Sequence, residues 1–141
     1  MSGDGREPAK RSIGSGHFHL FVYGTLRTGG ESHEQIADCA LVRAAHVLGT
    51  LYDIDGLHPA LMLYGHTRID GEIWLCPADR LPALDHFEAV ERGLFRRVAV
   101  SIDDTPCWTY VAGPALAHRL TPAQRLEHGR WPATAQADGH G

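Results

Sequence analysis

A glutamate at the end of a short amphipathic run is the residue in this chain best suited to carry a proton. Glu88 closes the segment Asp79–Glu88, in which Leu81, Leu84 and Phe87 recur at helical spacing. The last turn of a helix presents the negative end of its dipole, which disfavours another negative charge. Burial among Leu84, Phe87 and Val90 would add desolvation. Both effects raise a carboxyl pKa toward neutrality, where a side chain can take up a proton and return it. The competing reading is a solvated glutamate at a helix end, the common state of this residue type.

The run Phe21-Val22-Tyr23-Gly24-Thr25-Leu26-Arg27 offers complementary chemistry. Apolar residues from Phe18 to Val22 read as a buried strand that breaks at Gly24, where the backbone can turn or approach a ligand closely. Free N–H groups, a hydroxyl and a guanidinium then meet at one spot, which suits a small anion such as a carboxylate. Taken alone, Tyr-Gly-Thr-Leu is an ordinary strand-to-turn sequence, and Gly-Thr-Leu occurs again at Gly49–Leu51. Arg27 can pair with a bound carboxylate or with a loop acid, and the sequence favours neither.

Other constellations are weaker. Asp85 and Glu88 form a carboxylate pair at i, i+3, but glycosidase carboxylates flank a sugar from opposite sides, which one helix face does poorly. Asp85 is expected to bond nearby backbone N–H groups. Asp53-Ile54-Asp55-Gly56 lacks the spacing and terminal glutamate of a calcium loop. His17 and His19 share one strand face and could hold a metal, but flanking a strand start at the surface is the plainer role, and no metal site is expected. Cys39, Cys76 and Cys107 are odd in number and widely spaced, which points to free thiols in a reducing cytoplasm.

The elements that must position these residues follow from periodicity and punctuation. Strands are predicted over about His17–Tyr23, Leu41–Ile54 with a bulge at Gly49, Ala60–Tyr64, Thr67–Leu75, Phe95–Ile102 and Cys107–Ala112. Ser32 and Gln35 resemble a capping box that opens a short helix over His33–Asp38. Thr121-Pro122-Ala123-Gln124 can start another. Residues 1–16 read as a disordered tail rather than a secretory signal, 17–128 as one domain, and 129–141 as a flexible tail carrying an exposed Trp131. Six or seven short strands with one or two outer helices suggest an α+β fold built on a small, mostly antiparallel β-barrel.

The bulk properties narrow the function. A length of 141 residues suffices for one domain with one core. A net charge of −4 with neutral histidines argues against a nucleic-acid partner. No apolar run approaches the roughly eighteen residues that span a bilayer, so no membrane partner is expected.

The heptad Phe21–Arg27 resembles the opening motif of the gamma-glutamylcyclotransferase-like family, which includes the plant avirulence-induced and gamma-glutamylamine cyclotransferase branches. The similarity continues in order through Gly49-Thr50-Leu51-Tyr52-Asp53, His58-Pro59-Ala60-Leu61, Asp70-Gly71-Glu72-Ile73-Trp74 and Leu84-Asp85-His86-Phe87-Glu88. The resemblance implies the same barrel and identifies Glu88 as the catalytic acid/base. It implies an intramolecular aminolysis, of acyltransferase or lyase type, that closes a small gamma-glutamyl amine, amide or peptide to 5-oxoproline and frees the amine. Tyr23, Gly24, Thr25 and Leu26 would hold the glutamyl group, with Arg27 and Tyr110 as further contacts. No cofactor, nucleophilic cysteine or metal is required, and a monomer or weak homodimer is expected.

The chain departs from the family pattern at two places. Ala89 stands where glycine commonly follows the glutamate, and Phe95-Arg96-Arg97 stands where Tyr-x-Arg is frequent. These departures keep open a non-catalytic binding module on the same barrel. A thiol hydrolase using Cys39 or Cys107 is a third, weaker reading.

Overall fold

This computed structural model describes residues 16–131. The tails expected ahead of Gly16 and beyond Trp131 lie outside the described residues. Five strands make one mixed sheet: β1 (His17–Val22), β2 (Ala40–Ile54), β3 (His58–Pro77), β4 (Phe95–Ile102) and β5 (Thr105–Ala112). Their order is β2-β3-β1-β5-β4. Two short helices accompany them, α1 (Leu81–Phe87) and α2 (Pro114–Ala117), together with 3-10 turns at His33–Ile36, Ala78–Arg80, Val90–Arg92 and Pro122–Gln124. No described helix is long and apolar enough to cross a membrane.

β1 is the centre of the sheet because it can be buried on both faces. It pairs antiparallel with β3, Leu20 opposite Trp74, and parallel with β5, Leu20 opposite Trp108. Leu20 and Val22 pack into one cluster with Trp74, Leu84 and Tyr110. Phe21 and Tyr23 pack into another with Leu61, Ile73 and Val111. That two-sided burial explains the unbroken apolar run Leu20–Tyr23. Thr109, fully buried, donates its hydroxyl to the Phe21 carbonyl at 2.9 Å and so ties β5 to β1.

The expected six- or seven-stranded barrel is corrected in count and in closure. The segments expected as Ala60–Tyr64 and Thr67–Leu75 belong to one continuous strand, β3. Pairing steps from Gly49 opposite Thr67 to Thr50 opposite Met62, so the expected bulge at Gly49 faces a longer bulge in β3. Gly65 sits in that bulge with φ 98°, and Thr50 donates its hydroxyl to the Tyr64 carbonyl at 2.7 Å. The ladder therefore bends without ending. The edge strands β2 and β4 do not pair with each other, so the barrel stays open. An exposed ion pair, Arg43 to Asp103 at 3.2 Å, bridges the seam.

Two smaller expectations are also revised, and one short helix was not foreseen. The helix expected over His33–Asp38 is a single 3-10 turn, and Ser32 makes no capping bond. The helix at Pro114–Ala117, hidden in an Ala- and Pro-rich stretch, buries Leu116. Residues 129–131 are not loose: Asp70 N–H donates to the Gly129 carbonyl at 2.8 Å, and Trp131 is 8% exposed, its indole N–H bonded to Asp53 at 3.0 Å. A large aromatic ring gains more from joining the Phe21 cluster than from staying in water.

Gly65 provides a test of the bulge. A Cβ there would lie 2.4 Å from the Thr50 hydroxyl, on a backbone that L side chains rarely adopt. Gly65→Ala is expected to destabilise the chain by about 1–3 kcal/mol. The urea midpoint should fall while the slope of the transition is unchanged.

Candidate active site

Helix α1 is short, and its purpose is read from what it carries. Pro82 occupies the first turn, where its missing N–H costs nothing, and Leu84 is fully buried beneath it. The helix stops at Glu88, whose N–H donates to the Leu84 carbonyl at 2.9 Å. Ala89 then turns the chain in the left-handed conformation, φ 55° and ψ 44°. The Leu94 N–H comes back to the Ala89 carbonyl at 3.2 Å, so the loop returns directly to β4.

One carboxylate pins this helix to the sheet. Asp85 accepts two bonds from Arg97, at 2.9 and 3.1 Å, and one from the Tyr110 hydroxyl at 2.6 Å. Arg97 also lies 4.3 Å from the ring centre of Trp108. The expectation that Asp85 bonds nearby backbone is therefore corrected: its partners are side chains on β4 and β5. A planar guanidinium reaching a carboxylate bidentately sets orientation as well as energy.

The turn after β1 forms the opposite wall. Arg27 N–H closes on the Gly24 carbonyl at 3.0 Å, and Ser32 N–H on the Thr25 carbonyl at 2.9 Å. The His33 imidazole donates to the Leu26 carbonyl at 2.9 Å and lies 5.0 Å from the Trp74 ring. Gly24 is packed so closely that a Cβ would lie 2.4 Å from Pro59. Among the described residues, the N–H groups of Gly24, Thr25 and Leu26 have no acceptor. Successive unpartnered N–H groups are the condition for receiving an anion.

A cavity of about 430 Å³ separates the two walls. Tyr23, Gly24, Thr25, Leu26, Tyr110 and Glu88 all line it, so six of the seven candidate residues meet there. Arg27 does not. Its guanidinium turns to the Trp131 carbonyl, and its Nε is buried without a partner among the described residues. Neither sequence reading of Arg27 holds: the C-terminal segment captures it. Tyr23 and Tyr110 present ring surface, because both hydroxyls are committed. That of Tyr23 donates to the Tyr110 carbonyl at 2.6 Å and accepts from Leu61 N–H at 3.3 Å.

The remaining wall was not singled out as site in the sequence. Leu57, His58, Pro59, Phe87, Leu94 and Phe95 give the cavity an apolar side, and Glu31 with Ser32 a polar rim. His58-Pro59 was legible only as an apolar turn, and nothing local says that it faces Gly24. Among the described residues, no three His, Cys, Asp or Glu side chains gather closely enough to hold a metal ion.

Glu88 keeps part of its surface exposed, while its carboxyl group is enclosed by the cavity wall. Burial pushes this carboxyl up to about 7. Desolvation is the cause, so the helix end invoked from the sequence is not the source of the shift; a seven-residue helix has little dipole to offer. Burial and the nearby negative Glu88 raise Tyr23 well above the ordinary tyrosine range, so it stays protonated.

Two substitutions test this account. Ala89 pays for its left-handed backbone, whereas glycine adopts it freely, so Ala89→Gly is expected to stabilise the chain by about 0.5–1 kcal/mol in denaturant titration. Glu88 binds its proton more tightly in the folded chain than at its unfolded pKa of 4.5. The stability this gives is fully present below about pH 4.5 and is lost as pH rises through about 7. Glu88→Gln, always neutral, lacks that loss. It should match wild type near pH 4.5 and exceed it by about 1–3 kcal/mol near pH 8, the outer edge of the carboxyl being partly screened by water.

Comparison with known proteins gives a consistent result. The family profile described as "Gamma-glutamyl cyclotransferase, AIG2-like" matches residues 20–133. A Niallia circulans protein, "Gamma-L-glutamyl-butirosin B gamma-glutamyl cyclotransferase", is 31% identical over 103 residues, 66% of this chain and 65% of that one. The chain thus spans just under two thirds of that relative. A Vibrio cholerae protein provisionally named gamma-glutamylcyclotransferase is 32% identical over 114 residues, 79% of this chain and 93% of its own length. Among solved structures, an uncharacterized Pyrococcus horikoshii protein superimposes with TM-score 0.71 at 19% identity, over 87% of this chain and 97% of its own. An AIG2-like protein from Mus musculus does so with TM-score 0.66 at 22% identity, over 82% and 88%. These two likenesses show the fold alone. With the profile spanning the sheet, the cavity and the helix that ends at Glu88, the chain belongs to the AIG2-like gamma-glutamyl cyclotransferase family.

Proposed function

We propose that this protein is a gamma-glutamyl cyclotransferase that releases 5-oxoproline and a free amine from a small gamma-glutamyl amine, amide or peptide, with Glu88 as the acid/base. The observation that carries the reading is one carboxyl, raised to about 7, standing across a 430 Å³ cavity from the unpartnered N–H groups of Gly24–Leu26. Cytoplasmic residence belongs to the same proposal.

The steps follow from that arrangement. The N–H groups of the turn receive the substrate's α-carboxylate or the oxyanion that develops at its γ-carbonyl. Glu88, ionised, takes a proton from the α-ammonium. The freed nitrogen attacks the γ-carbonyl carbon and closes a five-membered ring. Glu88 then gives its proton to the departing nitrogen as the old C–N bond breaks, and the second proton of the attacking nitrogen passes through the same carboxylate to the freed amine, which leaves as an ammonium. Nucleophile and electrophile are already on one molecule, so the wall need only fold the substrate into a reactive conformation. The apolar side formed by Leu57, Phe87 and Phe95 limits water around the reacting groups. Phe95 supplies ring surface and no hydroxyl, so the leaving amine is held there by contact rather than by a hydrogen bond to that side chain.

The test is turnover of a panel of gamma-glutamyl amines, amides and peptides, with 5-oxoproline read by mass spectrometry. Wild type should release 5-oxoproline from at least one, with kcat/KM rising as pH passes about 7. Glu88→Gln should lose about 10²–10⁴-fold in kcat while remaining folded. Unchanged turnover in Glu88→Gln would overturn the role of Glu88. Binding without turnover across the panel would favour a non-catalytic module.

A further inference from the structure

We propose that Cys39 and Cys76 form a redox-responsive pair that takes a low-molecular-weight disulfide of the glutathione type as oxidant and closes reversibly to an intramolecular disulfide between the start of β2 and the end of β3. The first pair of that antiparallel ladder is Ala40 opposite Leu75. Cys39, in the bend that enters β2, and Cys76 are the next residues beyond that pair, which places them side by side at the end of the ladder. Directly opposed residues of an antiparallel pair have Cα atoms about 4.5–5.5 Å apart, inside the roughly 4.4–6.8 Å range that a disulfide spans. Cys39 packs against the buried cluster that contains Cys76, and its thiol donates to the Asp38 carboxylate at 3.9 Å. Cys107 takes no part, since it lies buried in the opposite cluster with its thiol on the Thr105 carbonyl at 3.6 Å.

The two cysteines differ in access, which sets the order of events. Cys39 is partly exposed and Cys76 is buried. Cys39 loses its proton to water, and its thiolate attacks one sulfur of the small disulfide. A Cys39–S–S–R bond forms and one RS⁻ leaves. The Cys76 thiol gives its proton to the first RS⁻, its sulfur attacks the Cys39 sulfur, and the second RS⁻ leaves and takes a proton from water. Two cysteine thiols are oxidised and one disulfide is reduced to two thiols. The Arg80 guanidinium, bound to Asp38, favours the thiolate form of both cysteines, and the Asp38 carboxylate opposes it. Burial holds both thiols above the usual range, so exchange is slow at neutral pH and quickens toward pH 9. Neither residue lines the cavity, so the pair stands independently of the proposed reaction.

The experiment treats the folded full-length chain with oxidised glutathione between about pH 7 and pH 9, blocks residual thiols by alkylation and maps peptides by mass spectrometry. The expected result is loss of two of three thiols, a Cys39–Cys76 cross-linked peptide, and a melting temperature raised by about 5–10 °C that dithiothreitol reverses. Cys76→Ser should instead accumulate a stable glutathione adduct on Cys39. A persistent Cys39 adduct in wild type, a bridge involving Cys107, a covalent dimer, or no thiol loss by pH 9 would each overturn the proposal.

Discussion

The clamp on Asp85 is the interaction on which the rest of the site depends. Three donors from two neighbouring strands converge on one carboxylate: both faces of the Arg97 fork and the Tyr110 hydroxyl. A seven-residue helix cannot hold its own direction, because helix formation at that length is marginal without tertiary contacts. Leu84 supplies the apolar anchor and Asp85 the polar one, and together they fix both the tilt and the rotation of α1. Glu88, three residues on from Asp85, inherits its position. The Arg97–Trp108 stacking holds the cation in turn, so the aim of the carboxyl traces back to residues on β4 and β5.

The opposite wall is held by similar means from a different part of the chain. Glu72, on β3, accepts from the Thr28 N–H, the Thr28 hydroxyl and the Trp74 indole, and so fixes the loop that follows Leu26. Arg27 adds a tie to the C-terminal segment through the Trp131 carbonyl, while Trp131 is itself bonded to Asp53. The turn between Tyr23 and Leu26 is thereby fastened at several points without using the N–H groups of Gly24, Thr25 and Leu26. A rigid loop with donors left free is preorganised, so little reorganisation is needed when charge develops there.

An open sheet rather than a closed barrel has a consequence for this geometry. The bulge around Gly65 bends β2 and β3 together, and the two apolar clusters share β1 between them. Each wall of the cavity thus rests on a packed layer: α1 on the Leu20 face, and the turn at the end of β1 itself. The cavity lies where a central strand leaves the sheet, a place where backbone polar groups lose their ladder partners and must find others.

Much of this was legible in the sequence. The run Phe18–Val22, the break at Gly24, the Gly49 bulge, the β4–β5 pair and the helical spacing of Leu81, Leu84 and Phe87 are local patterns, and local patterns report local structure. Six of seven candidate site residues line one cavity for the same reason: each sits at the end of an element whose boundary is written in its own neighbours. The direction of Arg27, the partners of Asp85, the merging of two expected strands into β3 and the burial of Trp131 were not legible. Each depends on a group distant in the chain: Trp131 for Arg27, Arg97 and Tyr110 for Asp85, Thr50 for the Gly65 bulge. The sequence by itself determined which residues could carry the chemistry and which elements would present them. Only the tertiary structure decided that the Glu88 carboxyl is raised to near neutrality, because desolvation is a property of the wall around it. That wall is assembled from Tyr23, Pro59, Phe95 and Tyr110, and no local pattern can bring those four residues together.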